Sequence, residues 1–409
     1  MKTFLKWVIF SFHILLGLEA SFAVEFEAQT WVRSDWWKDD VNRQGQQVYI
    51  PICAEARFQN LSLRILTGEA YTRLDPRRNP NRSLATLLDT KVNFSYEIIE
   101  KLPVDLLVGL DFNLPTGKSN LKLKDRGLLM DPDLVSINKF GEGFNVNPNL
   151  SIAKDWGRFA AGVGLGYVWR GEYDFTTQVL EINDFLFGRI IKFYARDYDP
   201  GEIFNINAEL RYDVLPRFQG RLYSQYVWYG RDRLKKKDFY QEGDLWMVGM
   251  GLQYSQEEWE VEITLRGLLR GKSKVKQDPG DVSLIPPDRW YLYGLRQPIR
   301  TEPKNSHGDE WVADLSIRYF LDEKTALKSF LQGLYVTKND YPFGSPRFLG
   351  RREKGSLGLG LSRVLHPSLQ GELIGRAFLM HDEERFMPEF QSERNYRGYS
   401  VGLYLTGKF

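Results

Sequence analysis

Apolar and polar residues alternate along most of the chain with a period close to two, and turn residues interrupt the alternation at regular intervals. This period places successive side chains on opposite faces of a β-strand, so the pattern predicts strands that have one apolar and one polar face. We read sixteen strands, over residues 24–36, 47–56, 60–73, 87–99, 103–115, 146–155, 158–172, 203–214, 217–230, 243–255, 258–271, 309–321, 325–338, 355–365, 369–381 and 396–409.

The segments between these strands alternate between short and long. The longer set runs from Lys38–Gln46 up to Lys272–Gly308. Outer-membrane barrels have short periplasmic turns and longer extracellular loops. The alternation of short and long connections, with an even number of strands, therefore predicts an all-β fold. This fold is a transmembrane antiparallel up-and-down β-barrel of about 16 strands with both termini on the periplasmic side. The short set is Arg57–Gln59, Glu100–Leu102, Trp156-Gly157, Leu215-Pro216, Gln256-Glu257, Asp322–Lys324 and His366–Ser368.

Charged residues occupy one face of several predicted strands, and aliphatic or aromatic residues occupy the other. A Lys or Arg at the middle of the hydrocarbon layer costs about 2–4 kcal/mol, so we expect the charged face to point into the barrel. A soluble barrel would bury its apolar face instead. The candidate lumen-lining residues are Glu209, Arg211, Asp213, Arg221, Glu260, Glu262, Arg266, Arg270, Asp314, Arg318, Glu372 and Arg376.

A barrel of this size is expected to contain water. Barrels of about 16 strands leave an aqueous lumen unless something plugs it. The mixed wall charges fit either cross-strand ion pairs or separated acidic and basic arcs, and we expect no strong selectivity for either ion sign. Inward glycines would either widen the lumen or relieve crowding within the strands; they are Gly162, Gly164, Gly166, Gly249, Gly251, Gly358 and Gly360.

The first residues read as a signal peptide. Lys2 and Lys6 form a basic flank, an apolar run follows over 7–18, and Ser21-Phe22-Ala23 supplies a cleavage site. Glu19 closes the run where a membrane-spanning helix would continue. We expect cleavage after Ala23, which leaves the outer-membrane barrel over residues 24–409.

The last predicted strand ends on an aromatic residue. Leu403, Leu405 and the terminal Phe409 share one face, although Gly407 stands where an apolar side chain would be usual. This resembles the C-terminal signal by which outer-membrane proteins are handed to the barrel assembly machinery.

Composition excludes several classes of protein. The net charge of +2 is too small to indicate nucleic acid as a partner, and the single cysteine, Cys53, cannot form an internal disulfide. We find no cofactor-binding or metal site. The chain contains 11 Trp, 21 Tyr and 26 Phe although its mean hydropathy, −0.40, is that of a polar chain. We expect aromatic girdles, at the short turns from Trp156, Phe159, Phe218, Trp259 and Phe409, and at the long loops from Trp36, Trp37, Trp169, Trp228 and Tyr229.

Two long loops have enough apolar content to fold inward as a lid or constriction, or to pack against each other: Leu114 to Asn145 and Asp174 to Glu202. The second contains segments that suggest a hairpin above the membrane. A third loop carries Trp290–Tyr293, whose rings fit either stacking on a solute or ordinary packing. Basic loop segments such as Arg231–Lys237 fit contact with lipopolysaccharide phosphates or an electrostatic funnel for anions.

The stretch Val108–Lys118, with Leu114-Pro115-Thr116-Gly117, resembles a strand-to-loop junction of the outer-membrane transporters of the meta pathway of phenol degradation. Those transporters are related to the long-chain fatty-acid transporters. Asn147-Pro148-Asn149, Gly166-Tyr167 and Tyr198–Gly201 look similar in order and context. The resemblance covers roughly Asp105 to Gln253. It implies uptake of small hydrophobic or aromatic compounds through a gated barrel.

The sequence therefore predicts an outer-membrane channel or transporter that passes small solutes through a polar lumen. The alternative is a conduit that sheathes a multihaem cytochrome or passes an exported polysaccharide. A hydrolase is the third reading, but His307, His366 and His381 are scattered and we expect no enzyme. Expected partners are outer-membrane lipid and lipopolysaccharide, the assembly machinery, an unknown solute, and a second copy or a periplasmic protein.

Overall fold

The alternating segments of the sequence fold into one closed antiparallel sheet. The computed structural model describes residues 24–76, 82–174, 180–184, 189–193, 197–234, 236–276, 298–345, 347–385 and 391–409. The predicted signal peptide and its cleavage site lie outside the described residues, as do the rings of residues 290–293.

Strands make up most of the described chain, with one short 3-10 helix, η1 (Leu123–Leu128). The strands are β1 (Val24–Asp39), β2 (Gln44–Phe58), β3 (Leu61–Asp75), β4 (Arg82–Leu87), β5 (Thr90–Ile98), β6 (Asp105–Leu114), β7 (Asn145–Asp155), β8 (Phe159–Arg170), β9 (Leu180–Asp184), β10 (Arg189–Phe193), β11 (Tyr198–Asp199), β12 (Ile203–Leu215), β13 (Phe218–Tyr229), β14 (Asp232–Leu234), β15 (Lys237–Gln241), β16 (Leu245–Ser255), β17 (Trp259–Arg270), β18 (Lys274–Lys276), β19 (Ile299–Thr301), β20 (Glu310–Asp322), β21 (Thr325–Val336), β22 (Arg352–His366), β23 (Leu369–Asp382) and β24 (Arg394–Lys408).

The barrel closes between its first and last strands. β1 pairs with β24 from Glu27 opposite Lys408 to Asp39 opposite Tyr396. β4 and β5 both pair with β3 and act as one interrupted barrel strand. The barrel thus has sixteen strands, which confirms the predicted fold. Closure pairs the backbone of every strand with a neighbour on each side. The hydrocarbon layer requires this, because it offers no hydrogen-bonding partners.

The two ends of the barrel differ in their connections. At the turn end, strands join through tight turns such as Asp155–Phe159, where Gly157 adopts a φ of 84° that other residues rarely reach. At the loop end, the connections are longer, except between β1 and β2. Both of those strands extend beyond their predicted bounds. Asp39 closes their turn by accepting hydrogen bonds from the backbone of Val41 and Arg43.

The outer surface of the barrel is apolar, as the alternation predicts. Exposed side chains on β12 include Phe204, Ile206 and Leu210, and the last strand exposes Leu403 and Phe409 on the same side. Charged residues alternate with them on the opposite face. Among the described residues, no helix has the length and apolar character needed to cross a membrane.

The predicted aromatic girdles are correct for most rings but wrong for two. Trp156 and Trp259 at the turn end, and Trp228 at the loop end, are exposed on the outer surface. Trp37 and Tyr229 instead lie on the inward face. Trp37 is buried inside the barrel, where its indole nitrogen donates to the sulfur of Met130.

Additional strands lie at the loop end. β9 and β10 form the hairpin expected between Asp174 and Glu202. A five-stranded sheet, which the sequence does not predict, joins β11, β14, β15, β18 and β19 from three different connections. These connections therefore support one another.

Candidate solute path and its inserted loop

The candidate lumen residues share one face of the sheet. A residue and its direct cross-strand partner lie on the same face, so the face can be followed from strand to strand. Arg211 stands opposite Arg221, and Thr264 stands opposite Asp314. Continued around the barrel, this face contains Glu209, Arg211, Asp213, Arg221, Glu260, Glu262, Arg266, Arg270, Asp314, Arg318, Glu372 and Arg376.

Several of these charges lie next to an opposite charge from the same set. Arg318 lies 3.4 Å from Glu260 on the neighbouring strand, and Arg221 lies 4.0 Å from Glu262. Arg211 pairs with Glu209 within β12, at 2.6 Å. Pairs this exposed contribute roughly 0–1 kcal/mol each.

Other members of the set have partners that the sequence did not indicate. Glu372 accepts from Lys328 at 2.6 Å, and Arg270 pairs with Glu242. Asp213 and Asp314 accept from glutamine amides, and the guanidinium of Arg376 lies 4.9 Å from a phenylalanine ring. Within the described residues, Arg266 forms no ion pair. The set has equal numbers of acids and bases, and nearly every contributing strand carries both signs, so the charges alternate and do not form separate arcs.

The inward glycines accommodate neighbouring side chains. A Cβ on Gly249 would overlap the ring of Tyr223, and one on Gly164 would lie 2.6 Å from Asn207. A Cβ on Gly358 would approach Arg376 to 2.8 Å. Steric relief, and not a wider lumen, therefore explains these three glycines.

Residues 115–144, between β6 and β7, fold back into the barrel; we call them the inserted loop. Met130, Leu134 and Val135 of this loop pack with Trp37 and with inward residues of β23 and β24. A second cluster joins Leu121 and Phe140 to Ala70 of β3. Ala70 lies five residues inside β3, roughly 17 Å from the strand end at about 3.4 Å per residue. Of the two readings of this loop, inward folding is the one observed.

Buried polar groups of the wall hold the inserted loop. The side-chain amide of Gln47, with no exposed surface, donates to the carbonyl of Ile137 at 2.8 Å and accepts from its N–H at 2.7 Å. Asp35 accepts from the backbone and the hydroxyl of Ser136. A buried polar group without a partner costs about 1–3 kcal/mol. Movement of the loop away from Gln47 and Asp35 is therefore unfavourable unless water replaces its hydrogen bonds.

An ion cluster fastens the centre of the inserted loop. Arg352 of β22 contacts Asp131 at 2.8 Å and Asp133 at 2.6 Å, both from the loop. It also contacts Asp382 of β23 at 2.6 Å. Burial by itself would raise the pKa of Asp131, but the charge of Arg352 and its hydrogen bonds outweigh burial and lower it. In the sequence, Arg352 follows Arg351 and resembles part of a basic loop, whereas its side chain lies in this cluster.

The neck of the inserted loop is narrow. Asp89, in the break between β4 and β5, accepts from the backbone N–H of Gly117 and of Glu142. The same carboxylate accepts from the amide of Asn113. Gly117 lies so close to the carbonyl of Phe140 that a side chain at 117 has no room. The two ends of the loop thus meet in space.

A cavity of about 620 Å³ separates the inserted loop from the opposite side of the barrel mouth. Lys139 and Glu142 line it from the loop, and Arg170, Tyr229 and Asp232 line it from the other side. Four of its charges form pairs, with 2.8 Å between Lys139 and Glu142 and 3.4 Å between Arg170 and Asp232. This cavity is a narrow polar space beside the loop.

Tyrosine rings add apolar surface to the cavity. Tyr173 and Tyr198 meet edge to face with their centroids 5.5 Å apart. The hydroxyl of Tyr198 donates to Asp232 at 2.5 Å. Burial raises the pKa of Asp232 despite this bond and one from the N–H of Gly201. The cavity can therefore offer both stacking and hydrogen-bonding groups to a solute.

A Ser–His contact occurs outside this path. Ser273 and His307 lie 3.1 Å apart, oxygen to nitrogen, in the layer of loops. Ser273 is 1% exposed, and its hydroxyl also contacts Tyr240 and the N–H of Gly243. Burial, followed by the charge of Arg270, lowers the pKa of His307 to about 4. His381 bonds Asn395, and His366 bonds Ser368 in a turn. Among the described residues no group of His, Cys, Asp or Glu is arranged to hold a metal.

No family model matches the chain, and no curated protein matches it. Solved structures with a similar fold include the Pseudomonas putida toluene transporter TodX, at 9% identity, with 95% of this chain and 91% of that chain covered and a TM-score of 0.39. The anion-selective porin from Comamonas acidovorans has 12% identity, 95% and 99% coverage and a TM-score of 0.40. Pseudomonas aeruginosa OccK7 has 9% identity, 94% and 99% coverage and a TM-score of 0.43. These likenesses are too distant to assign a solute to this chain.

Proposed function

We propose that this protein is an outer-membrane channel that passes small polar solutes between the inserted loop and the opposite wall of the barrel. One observation carries the proposal. The inserted loop covers the inward face of β1–β3 and β22–β24, whereas the charged inward face of β12, β13, β17 and β20 lies across the lumen from it. A barrel of about 16 strands is wide enough to leave water beside such a loop.

The proposed orientation follows from the two ends. Short turns face the periplasm in outer-membrane barrels, so we place the turn end, both chain termini and the terminal Phe409 there. Removal of residues 1–23 would accompany export. Leu403, Leu405 and Phe409 would then be available to the barrel assembly machinery before the strand pairs with β1.

The balanced wall charges favour small solutes that are neutral or carry both signs. The twelve proposed lumen residues sum to no net charge, so neither cations nor anions gain from the wall as a whole. The tyrosine-lined cavity beside the inserted loop fits a solute with a ring and several polar groups.

The inserted loop disfavours a sheath for a multihaem cytochrome, because a protein partner would need the volume that the loop occupies. An exported polysaccharide chain would use the same passage, and the direction of transport separates that alternative from uptake. We propose no catalytic role, since Ser273 is shielded from substrate.

Single-channel recording in planar bilayers tests the proposal. In one variant, residues 118–140 are removed and Gly117 is joined through two glycines to Gly141, which the close approach of the loop ends permits. We expect small steady steps from the natural chain and larger steps from this variant. Equal conductance in the two, with both folded, would contradict a path beside the loop.

A further inference from the structure

A groove of about 940 Å³ crosses the outer surface of the barrel near the loop end. Its floor is a row of direct cross-strand partners, each on the outward face. The row consists of Trp36, Tyr399, Ala377, Leu357 and Leu331. The groove is therefore separate from the lumen, and it spans the seam where β1 meets β24.

Missing side chains deepen the groove. Gly333 stands opposite Gly355, and a Cβ on either would meet nothing within 4 Å. Leu331, Leu357 and Leu379 surround this gap and are 53%, 58% and 70% exposed. A glycine within a strand often marks a place where another molecule approaches the backbone. The gap has the apolar lining that an acyl chain requires.

Two cations face each other beside the gap, in the same row of cross-strand partners as Gly333 and Gly355. Lys38 and Arg397 are direct partners across the β1–β24 pair, and like charges in this position repel. In the described part of the chain, neither side chain has an ion pair or a hydrogen bond. Arg73 also lines the groove, and the acid among its lining residues is Asp75, which accepts from Gln44. An anion between the two cations would remove the repulsion.

We propose that this groove binds the phosphorylated, acylated glucosamine lipid of the outer leaflet, the lipid A part of lipopolysaccharide. Its phosphate lies between Lys38 and Arg397, and one acyl chain lies over Gly333 and Gly355. The proposal rests on the orientation proposed above, which places the loop end in the outer leaflet. The stacked rings of Trp36 and Tyr399, 5.0 Å apart, lie one row nearer the middle of the strands than the cations, and the sugar lies over them.

Charge argues against a second copy of this chain as the occupant. A symmetric contact through the groove would bring two pairs of Lys38 and Arg397 together and increase the repulsion. A zwitterionic phospholipid would also fill the apolar gap, but it offers less negative charge to the cations. The phosphate-rich glycolipid matches both parts of the groove.

Native mass spectrometry of the full barrel, released from detergent with added lipid, tests the proposal. The probes are purified lipid A, its monophosphoryl form, phosphatidylethanolamine and inorganic phosphate. Two site variants are K38Q/R397Q, which removes the cations, and G333L/G355L, which fills the gap. The matched control is Arg363→Gln, an exposed cation at the turn end of β22. Heat-modified migration on gels establishes that each variant is folded.

We expect one lipid A per barrel, about tenfold or more weaker in K38Q/R397Q and in G333L/G355L and unchanged in the Arg363 control. The monophosphoryl form should bind less well than lipid A, and phosphatidylethanolamine and phosphate should bind weakly. Equal binding by both site variants and the natural chain, or equal binding of phosphatidylethanolamine, would overturn the proposal. If the cation variant fails to fold, G333L/G355L decides alone. Conductance of the variants should stay unchanged, so this result is independent of the channel proposal.

Discussion

Replacement of Arg352 by methionine is expected to release the inserted loop. The guanidinium holds Asp131 and Asp133 of the loop and Asp382 of the wall within 3 Å. Its side chain is 16% exposed, so water screens the cluster weakly. Methionine preserves the apolar stem and removes the charge, which leaves three neighbouring carboxylates without a cation.

The cost of leaving these carboxylates together is large. Removing one partner from a buried ion pair destabilises a protein by about 3–5 kcal/mol. The loop can avoid part of that cost by moving its two aspartates away from Asp382. Against this, the apolar packing of Met130, Leu134 and Val135 and the bonds from Gln47 still hold the loop. We therefore expect an equilibrium between docked and released loop, and not an unfolded barrel.

Hydrogen exchange and conductance measure this equilibrium together. The N–H of Ile137, which donates to Gln47, should exchange at least about tenfold faster in R352M, and the current should switch to a larger level. The matched control is Arg351→Met, because that neighbour is 47% exposed and forms only surface pairs with Glu353 and Glu383. Identical exchange in the two variants would refute the assigned role of the cluster.

Three further predictions concern other parts of the barrel. Gly249→Ala should lower the free energy of unfolding by urea by about 1–3 kcal/mol, since the new methyl group displaces a tyrosine ring. Gly375→Ala, which has open space around it, should lower it far less. Equal losses in the two variants would contradict the packing account. Burial keeps the pKa of His307 near 4, so below pH 6.5 opened loops bind a proton that closed loops do not. Stability of that layer should fall by up to about 3 kcal/mol between pH 6.5 and 4. This should appear as lower protection factors at β18 and β19, corrected for the pH dependence of intrinsic exchange, and the decrease should be absent in His307→Gln. Deleting Phe409, which forms two backbone hydrogen bonds with Phe26, should lower the amount of folded barrel in the membrane. An unchanged amount would contradict the proposed role of Phe409 in assembly.

The barrel itself could be predicted from the sequence because its cause is local. A period of two defines two faces, and a short turn after each pair of strands defines the direction of the chain. The ends of the strands were less predictable. Around Lys38 and Gln44 both faces are polar, so the alternation disappears although the β1–β2 ladder continues to these residues.

The inserted loop could be predicted only as a possibility, because its contacts join distant parts of the chain. Asp131 and Arg352 are 221 residues apart, and Asp35 and Ser136 are 101 apart. In the sequence, the pair Arg351-Arg352 resembles part of a basic surface loop. The partners that bury it come from the inserted loop and from β23, and no spacing in the sequence relates these segments.

The central claim is that one face of the sheet meets solute and the other meets lipid. Cysteines placed in turn at Arg211, on the inward face, and at Leu210, on the outward face, test this claim when Cys53 is replaced by serine. A charged, water-soluble thiol reagent added during single-channel recording should change the current stepwise for the inward cysteine and leave it unchanged for the outward one. A current that responds at Leu210 and not at Arg211 would contradict the account.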